Sequence, residues 1–197
     1  MSSNSGDILE SIAYNEKALK LMHDGDPRKA NCHCSLGMSF LNRFRRFYDP
    51  SDLNNALFNC KQAVLLVPPR HPNRADFLCN LSRVLIQRFE SKGNIGDLNE
   101  GILKTEEALT LVSANSEFHL MLLGNFANYL LRRFEVSEDM ADLDLSIIKG
   151  RESLSSIPDR YHFGMNNLAQ ALARRLNVLA PLAISMKPLN FIDGRCS

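Results

Sequence analysis

The sequence repeats itself every 45 residues. "NRFRRFYDPSDL" at 42–53, "QRFESKGNIGDL" at 87–98 and "RRFEVSEDMADL" at 132–143 stand in one register. A fixed period of this size constrains the fold strongly. Each unit must bury its apolar face against copies of itself, so the chain stacks as an array instead of closing around a single core.

Asp7, Asp52, Asp97 and Asp142 mark the starts of four segments, each carrying apolar or small residues at steps of three and four. Examples are Leu53, Ala56, Leu57, Cys60, Ala63, Val64 and Val67, or Leu98, Gly101, Ile102, Ala108, Leu109 and Val112. That spacing is one face of an α-helix. Asp7 with Glu10, and Asp97 with Glu100, have the spacing of a capping box, so the aspartates are expected to cap their helices. Turn signals precede the later three in "YDPS", "KGNIG" and "EDMA". "VPPRHPNR" at 67–74 breaks the chain between units, because consecutive prolines cannot continue a helix.

A second helix in each unit centres on "HCSLGMSFLNRF" (33–44), "LCNLSRVLIQRF" (78–89), "LGNFANYLLRRF" (123–134) and, after a three-residue deletion, "MNNLAQALARRL" (165–176). Leu36, Leu81, Phe126 and Leu168 coincide, and the next column is always small: Gly37, Ser82, Ala127, Ala169. Small columns recur in the partner helix at Ser11, Ala56, Gly101 and Ser146, and seven residues on at Ala18, Ala63, Ala108 and Ser153. Such columns are expected where the two helices of a hairpin approach closely.

These small columns, with Pro68 and Pro158 five residues beyond Ala63 and Ser153, resemble the tetratricopeptide repeat (TPR). The period departs from the roughly 34 residues of that repeat. "NNLA", "RRFE", "DLNE" and "PPRHPNRA" resemble a long TPR-like variant found in fungal arrays, beside CHAT-protease or nucleotide-switch domains. The resemblance covers residues 7–176 and implies an all-α fold, a right-handed α-solenoid of stacked helical hairpins with about eight helices. Residues 1–6 are expected to form a disordered N-terminus, 7–178 the repeat array, and 179–197 an irregular tail or improvised cap. The array opens on a second helix and closes on a first helix, and open ends are expected to bring self-association or instability.

Function follows from what the chain lacks as well as from its build. With 23 Lys and Arg against 22 Asp and Glu, the formal charge of +1 gives no general attraction to nucleic acid or an anionic membrane. The first residues lack a secretory layout and no apolar run is long enough for a membrane span, so the expectation is a cytoplasmic protein whose partner is a protein or peptide. No Walker loop, Rossmann fingerprint, GxSxG elbow or HExxH pair occurs, and no catalysis, cofactor or metal is expected. "CHC" at 32–34 is not a metal motif on a helix, where Cys32 and Cys34 point about 200° apart. Cys34 and Cys79 are expected in the core or lining the groove, the "GNIG" turn and the His71 loop to be structural, and the "NLS" sequon at 80–82 to be silent within a helix.

The column Arg43, Arg88, Arg133 and Arg175 recurs in every unit, so it is read as structural, each stem packing on its hairpin and pairing with a nearby acid. Ligand contacts belong where units differ. The TPR resemblance implies that the first helix of each hairpin lines a concave face. That points to Asn31, Cys34, Met38 and Asn42; Asp76, Cys79, Arg83 and Gln87; Met121, Gly124, Asn128 and Arg132; Phe163, Asn166, Gln170 and Arg174. The Lys and Asn pair with which some relatives grip a chaperone's terminal carboxylate has no counterpart here. The expected function is a non-catalytic scaffold binding a partner on this face. The alternative is a detached sensor segment of a larger CHAT-protease or NTPase-switch protein.

Overall fold

A computed structural model of the chain describes residues 3–114, 116–155 and 162–185. These form eight helices and no strand: α1 (Ser3–Leu21), α2 (Lys29–Phe47), α3 (Pro50–Leu65), α4 (Arg74–Lys92), α5 (Ile95–Thr110), α6 (Glu117–Ser137), α7 (Met140–Leu154) and α8 (His162–Ser185). Three antiparallel hairpins, α2–α3, α4–α5 and α6–α7, stack in chain order, with α1 packed against α2 and α8 against α7. The architecture is an all-α solenoid of TPR-like helical hairpins.

Each hairpin turns in the same way. The first helix ends on a left-handed residue, Tyr48, Gly93 or Glu138, whose backbone N–H donates to the carbonyl of Phe44, Phe89 or Phe134. The next residue, Asp49, Asn94 or Asp139, is extended and caps the second helix, its side chain accepting from the backbone N–H of Ser51, Gly96 or Ala141. Only Gly93 has the residue type that a positive φ favours. The glycines of "GNIG" are thus accounted for by the turn.

This corrects the expected role of the aspartates. Asp52, Asp97 and Asp142 lie three residues inside the caps and are buried. Each faces an arginine of the preceding helix. Arg43 donates from Nε to both carboxylate oxygens of Asp52 at 3.0 Å and from Nη2 at 2.5 Å. Arg133 grips Asp142 through Nε at 2.7 Å and Nη2 at 2.6 Å, and Arg88 Nε lies 3.2 Å from Asp97. At Asp52 and Asp142 the carboxylate has exchanged capping for a forked ion pair that ties the hairpin legs together, and at Asp97 for a single ion-pair contact. Asp7 has no cap role either, since α1 begins at Ser3.

Packing explains the small columns. A Cβ on Gly37 would lie 2.6 Å from Cys60 Sγ and 3.1 Å from the Ala56 carbonyl, so α2 and α3 touch nearly backbone to backbone. Ser146 Oγ donates to the Ala127 carbonyl across α6 and α7 at 2.7 Å. Around these points Leu53, Leu98 and Leu143, one residue per unit, are fully buried. In the break at 67–74, Arg74 donates to the carbonyls of Val64 and Val67 and pairs with Glu107, fastening one hairpin to the next. The helical limits run wider than the expected array: α1 includes residues 3–6, and α8 continues through Pro181 to Ser185.

Candidate partner-binding groove

The first helices of successive units, α2, α4, α6 and α8, form one side of the stack. Side chains link α2 to α4: Arg45 Nε donates to Gln87 Oε1 at 3.0 Å, Asn80 Nδ2 to Cys34 Sγ at 3.2 Å, and Asn73 Nδ2 to Asn31 Oδ1 at 3.2 Å. Arg174 of α8 reaches Glu135 of α6 at 3.1 Å.

A recess of about 200 Å³ opens among α2, α4 and α6, lined by Arg45, Arg83, Gln87, Glu90, Asn128 and Tyr129 among others. The expected groove residues Arg83, Gln87 and Asn128 meet there. A second hollow, about 670 Å³, lies between α6 and α8 and holds Arg132 and Arg174 beside Phe134, Glu135, Met140 and Val178. The remaining expected residues disperse. Asp76 is exposed near the start of α4, and Asn166 and Gln170 are exposed on α8. Met121 is half-buried against the core. Cys79 is buried in the core, its thiol pushed up to about 11 chiefly by burial. The side chain of Phe163 lies outside the described residues.

The two basic centres differ electrostatically. Arg132 and Arg174 share Glu135, at 3.4 and 3.1 Å. Arg45 and Arg83 have no carboxylate within ion-pair distance among the described residues. Arg45 donates to the neutral Gln87, and Arg83 Nη1 to Asn80 Oδ1 at 3.3 Å. Burial and then the Arg83 charge lower the proton affinity of the Arg45 guanidinium, with Glu90 opposing them. Two arginines share this recess with one carboxylate, Glu90, which lies beyond ion-pair distance of both, so the recess carries a net positive charge that favours an anion.

Sequence reasoning missed Arg45, Glu90 and Tyr129. A signal for two of them was present: the column Arg45, Glu90, Glu135 and Asn177 varies from unit to unit, which is the behaviour expected of a contact column. Tyr129 aligns with buried Val84 and is itself buried, so nothing local distinguishes it from core.

Among the described residues no group of three His, Cys, Asp or Glu side chains could hold a metal ion, and no helix is long and apolar enough to cross a membrane. No family model matches the chain, and comparison with curated proteins finds no match. Solved structures do match. Crystal structures of a Podosopora anserina protein named a kinesin light chain, with nearly identical TPR-like repeats, superimpose with a TM-score of 0.62 at 15% identity, covering 91% of this chain and 86% of that one. A singly substituted form of the same protein gives 0.63 at 15% identity, covering 91% and 85%. At that identity the likeness establishes the fold, a TPR-like helical-repeat solenoid.

Proposed function

We propose that the chain is a non-catalytic protein-interaction scaffold whose concave face, centred on Arg45 and Arg83, binds an acidic side chain or terminal carboxylate of a partner polypeptide. The observation that carries this reading is the pair of arginines without a direct ion-pair partner, set in a recess otherwise lined by amides, Ile86, Glu90 and Tyr129. A guanidinium fork matches a carboxylate in shape as well as charge. Gln87, Asn125 and Asn128 add neutral donors and acceptors that would orient a peptide backbone. Support for a polypeptide ligand comes from the TPR-like solenoid itself, whose stacked first helices present an extended groove instead of a closed cavity.

Panning a displayed random dodecapeptide library against the full chain tests the reading. Recovered peptides are expected to carry Asp, Glu or a free C-terminus at a fixed position. Their affinity, read by fluorescence anisotropy, should fall at least about tenfold in Arg83→Glu and weaken as salt rises. Recovered peptides without acidic preference, or binding unchanged in both Arg45→Glu and Arg83→Glu, would overturn it.

A further inference from the structure

We propose that a second copy of this chain docks its α1 on α8, completing a hairpin between molecules and making the protein assemble head to tail. Column by column, α8 repeats α6 with an offset of 42 residues. Leu123, Ala127, Leu130 and Phe134 of α6 are buried, with the Ala127 carbonyl accepting from Ser146 of α7 and Phe134 clustering with Leu143 and Ile147 of α7. Their counterparts on α8 are Met165, Ala169, Leu172 and Leu176. Met165 and Ala169 are exposed, Leu172 is only half-buried, and Leu176 is 69% exposed where Phe134 is 7%.

The opposite end of the array carries the matching half. On α3, Asp52, Leu53, Ala56 and Ala63 are fully buried. The same columns of α1 hold Asp7, Ile8, Ser11 and Ala18, of which Asp7 is exposed and the others half-buried. Tyr14 stands 65% exposed where Asn59 of α3 is buried and meets His33 of α2 at 2.8 Å.

Charge fixes the register. Arg133 has two partners, Asp142 of its own hairpin and Asn99 of the previous unit at 3.3 Å. Arg175 keeps the counterpart of the second, Asp144, at 3.2 Å, and among the described residues has no counterpart of the first. Asp7 is the residue in that column. Docked as a hairpin, the α1 of another copy brings Asp7 to Arg175 and lays Ile8, Ser11 and Ala18 along Met165, Ala169 and Leu176. The surfaces on the two partners are different, so the contact is heterologous and propagates into a ring or an open filament.

Sedimentation velocity over a concentration series, with full-length chains, tests this. Wild type should grow from the 22.2 kDa monomer to larger species as concentration rises. Arg175→Asp sets two acids against each other and Asp7→Arg two bases, so each alone should assemble at least about tenfold more weakly. Mixed in equal amounts, the two variants restore an opposite pair at every junction and should assemble again. Leu176→Glu should not be rescued by either. Asp7 and Leu176 are exposed and Arg175 is half-buried, so each variant should retain its helices, which circular dichroism checks. A wild type that stays monomeric to its solubility limit would overturn the proposal, the α8 face then being covered from within the chain. A mixture that stays monomeric, or a charge variant that assembles as wild type does, would overturn it equally.

Discussion

Removing the carboxylate of Asp52 is the sharpest way to ask what the recurring ion pair contributes. The side chain is fully buried and takes three short bonds from Arg43, whose own side chain is 25% exposed. Asp52 accordingly raises the proton affinity of the Arg43 guanidinium. Deleting one member of a buried pair strands the other charge and costs about 3–5 kcal/mol. Because Arg43 can turn partly toward water and still lie over Phe40, at 5.1 Å, the low end applies: about 3 kcal/mol for Asp52→Ala. The comparison is Asp144→Ala, which removes the half-exposed partner of Arg175 and should cost no more than about 1 kcal/mol. Replacing both members, in Arg43→Met with Asp52→Leu, should recover most of the loss, since an apolar pair of similar volume leaves no buried charge. Urea unfolding followed by circular dichroism gives the totals. Amide exchange should locate the loss in α2 and α3, because a stacked array can open unit by unit. Equal losses for Asp52→Ala and Asp144→Ala would show that burial of the pair contributes nothing beyond a surface ion pair.

Two glycines in equivalent helices should respond oppositely to alanine. Gly37→Ala drives a methyl to 2.6 Å from buried Cys60 Sγ and against α3 backbone, so overpacking should outweigh the helix-propensity gain and lower stability by about 1–2 kcal/mol net. Gly124→Ala meets only Ser153, at 3.8 Å, and should raise stability by up to about 1 kcal/mol; urea midpoints decide both. At the hairpin turn, Glu138 holds φ 58° while exposed, and Glu138→Gly should raise the thermal midpoint, with a gain of about 0.5–1 kcal/mol. Asp26 is buried and bonded by the Arg28 side chain and backbone N–H, which hold its carboxyl well below the usual carboxylate range. A depressed folded-state value contributes stability above the unfolded value of about 4, and that contribution is lost as pH falls through the folded one. Urea midpoints should therefore drop below about pH 4, and less steeply in Asp26→Asn.

The hairpin array was legible because its determinants are local and repeated. Leu53, Leu98 and Leu143 announce a buried column, and Gly37, Ser82 and Ala127 a close helix approach. The caps were misassigned because each turn offers two candidates three residues apart, such as Asp49 and Asp52. Which one caps depends on where a cation sits nine residues earlier, at Arg43, and that is settled only when the hairpin closes. The arginine column itself was read rightly as structural for that pairing. In the proposed groove, Arg83, Gln87 and Asn128 are what the TPR resemblance implies, whereas Arg45 enters from a neighbouring unit and donates to neutral Gln87, which only the folded array reveals. Cys79 has groove spacing and core burial, a distinction that depends on how tightly α2 and α4 pack.

In the proposed scaffold, ligands enter on the first-helix side of the array. A photoreactive side chain substituted at Asn128, in the arginine recess, and separately at exposed Phe58 on α3, tests this with the peptides recovered by panning. Crosslinks at position 128, suppressed by Arg83→Glu, with none at 58, are the predicted result. Crosslinks at 58 and none at 128 would place the partner on the opposite face and rule out the groove.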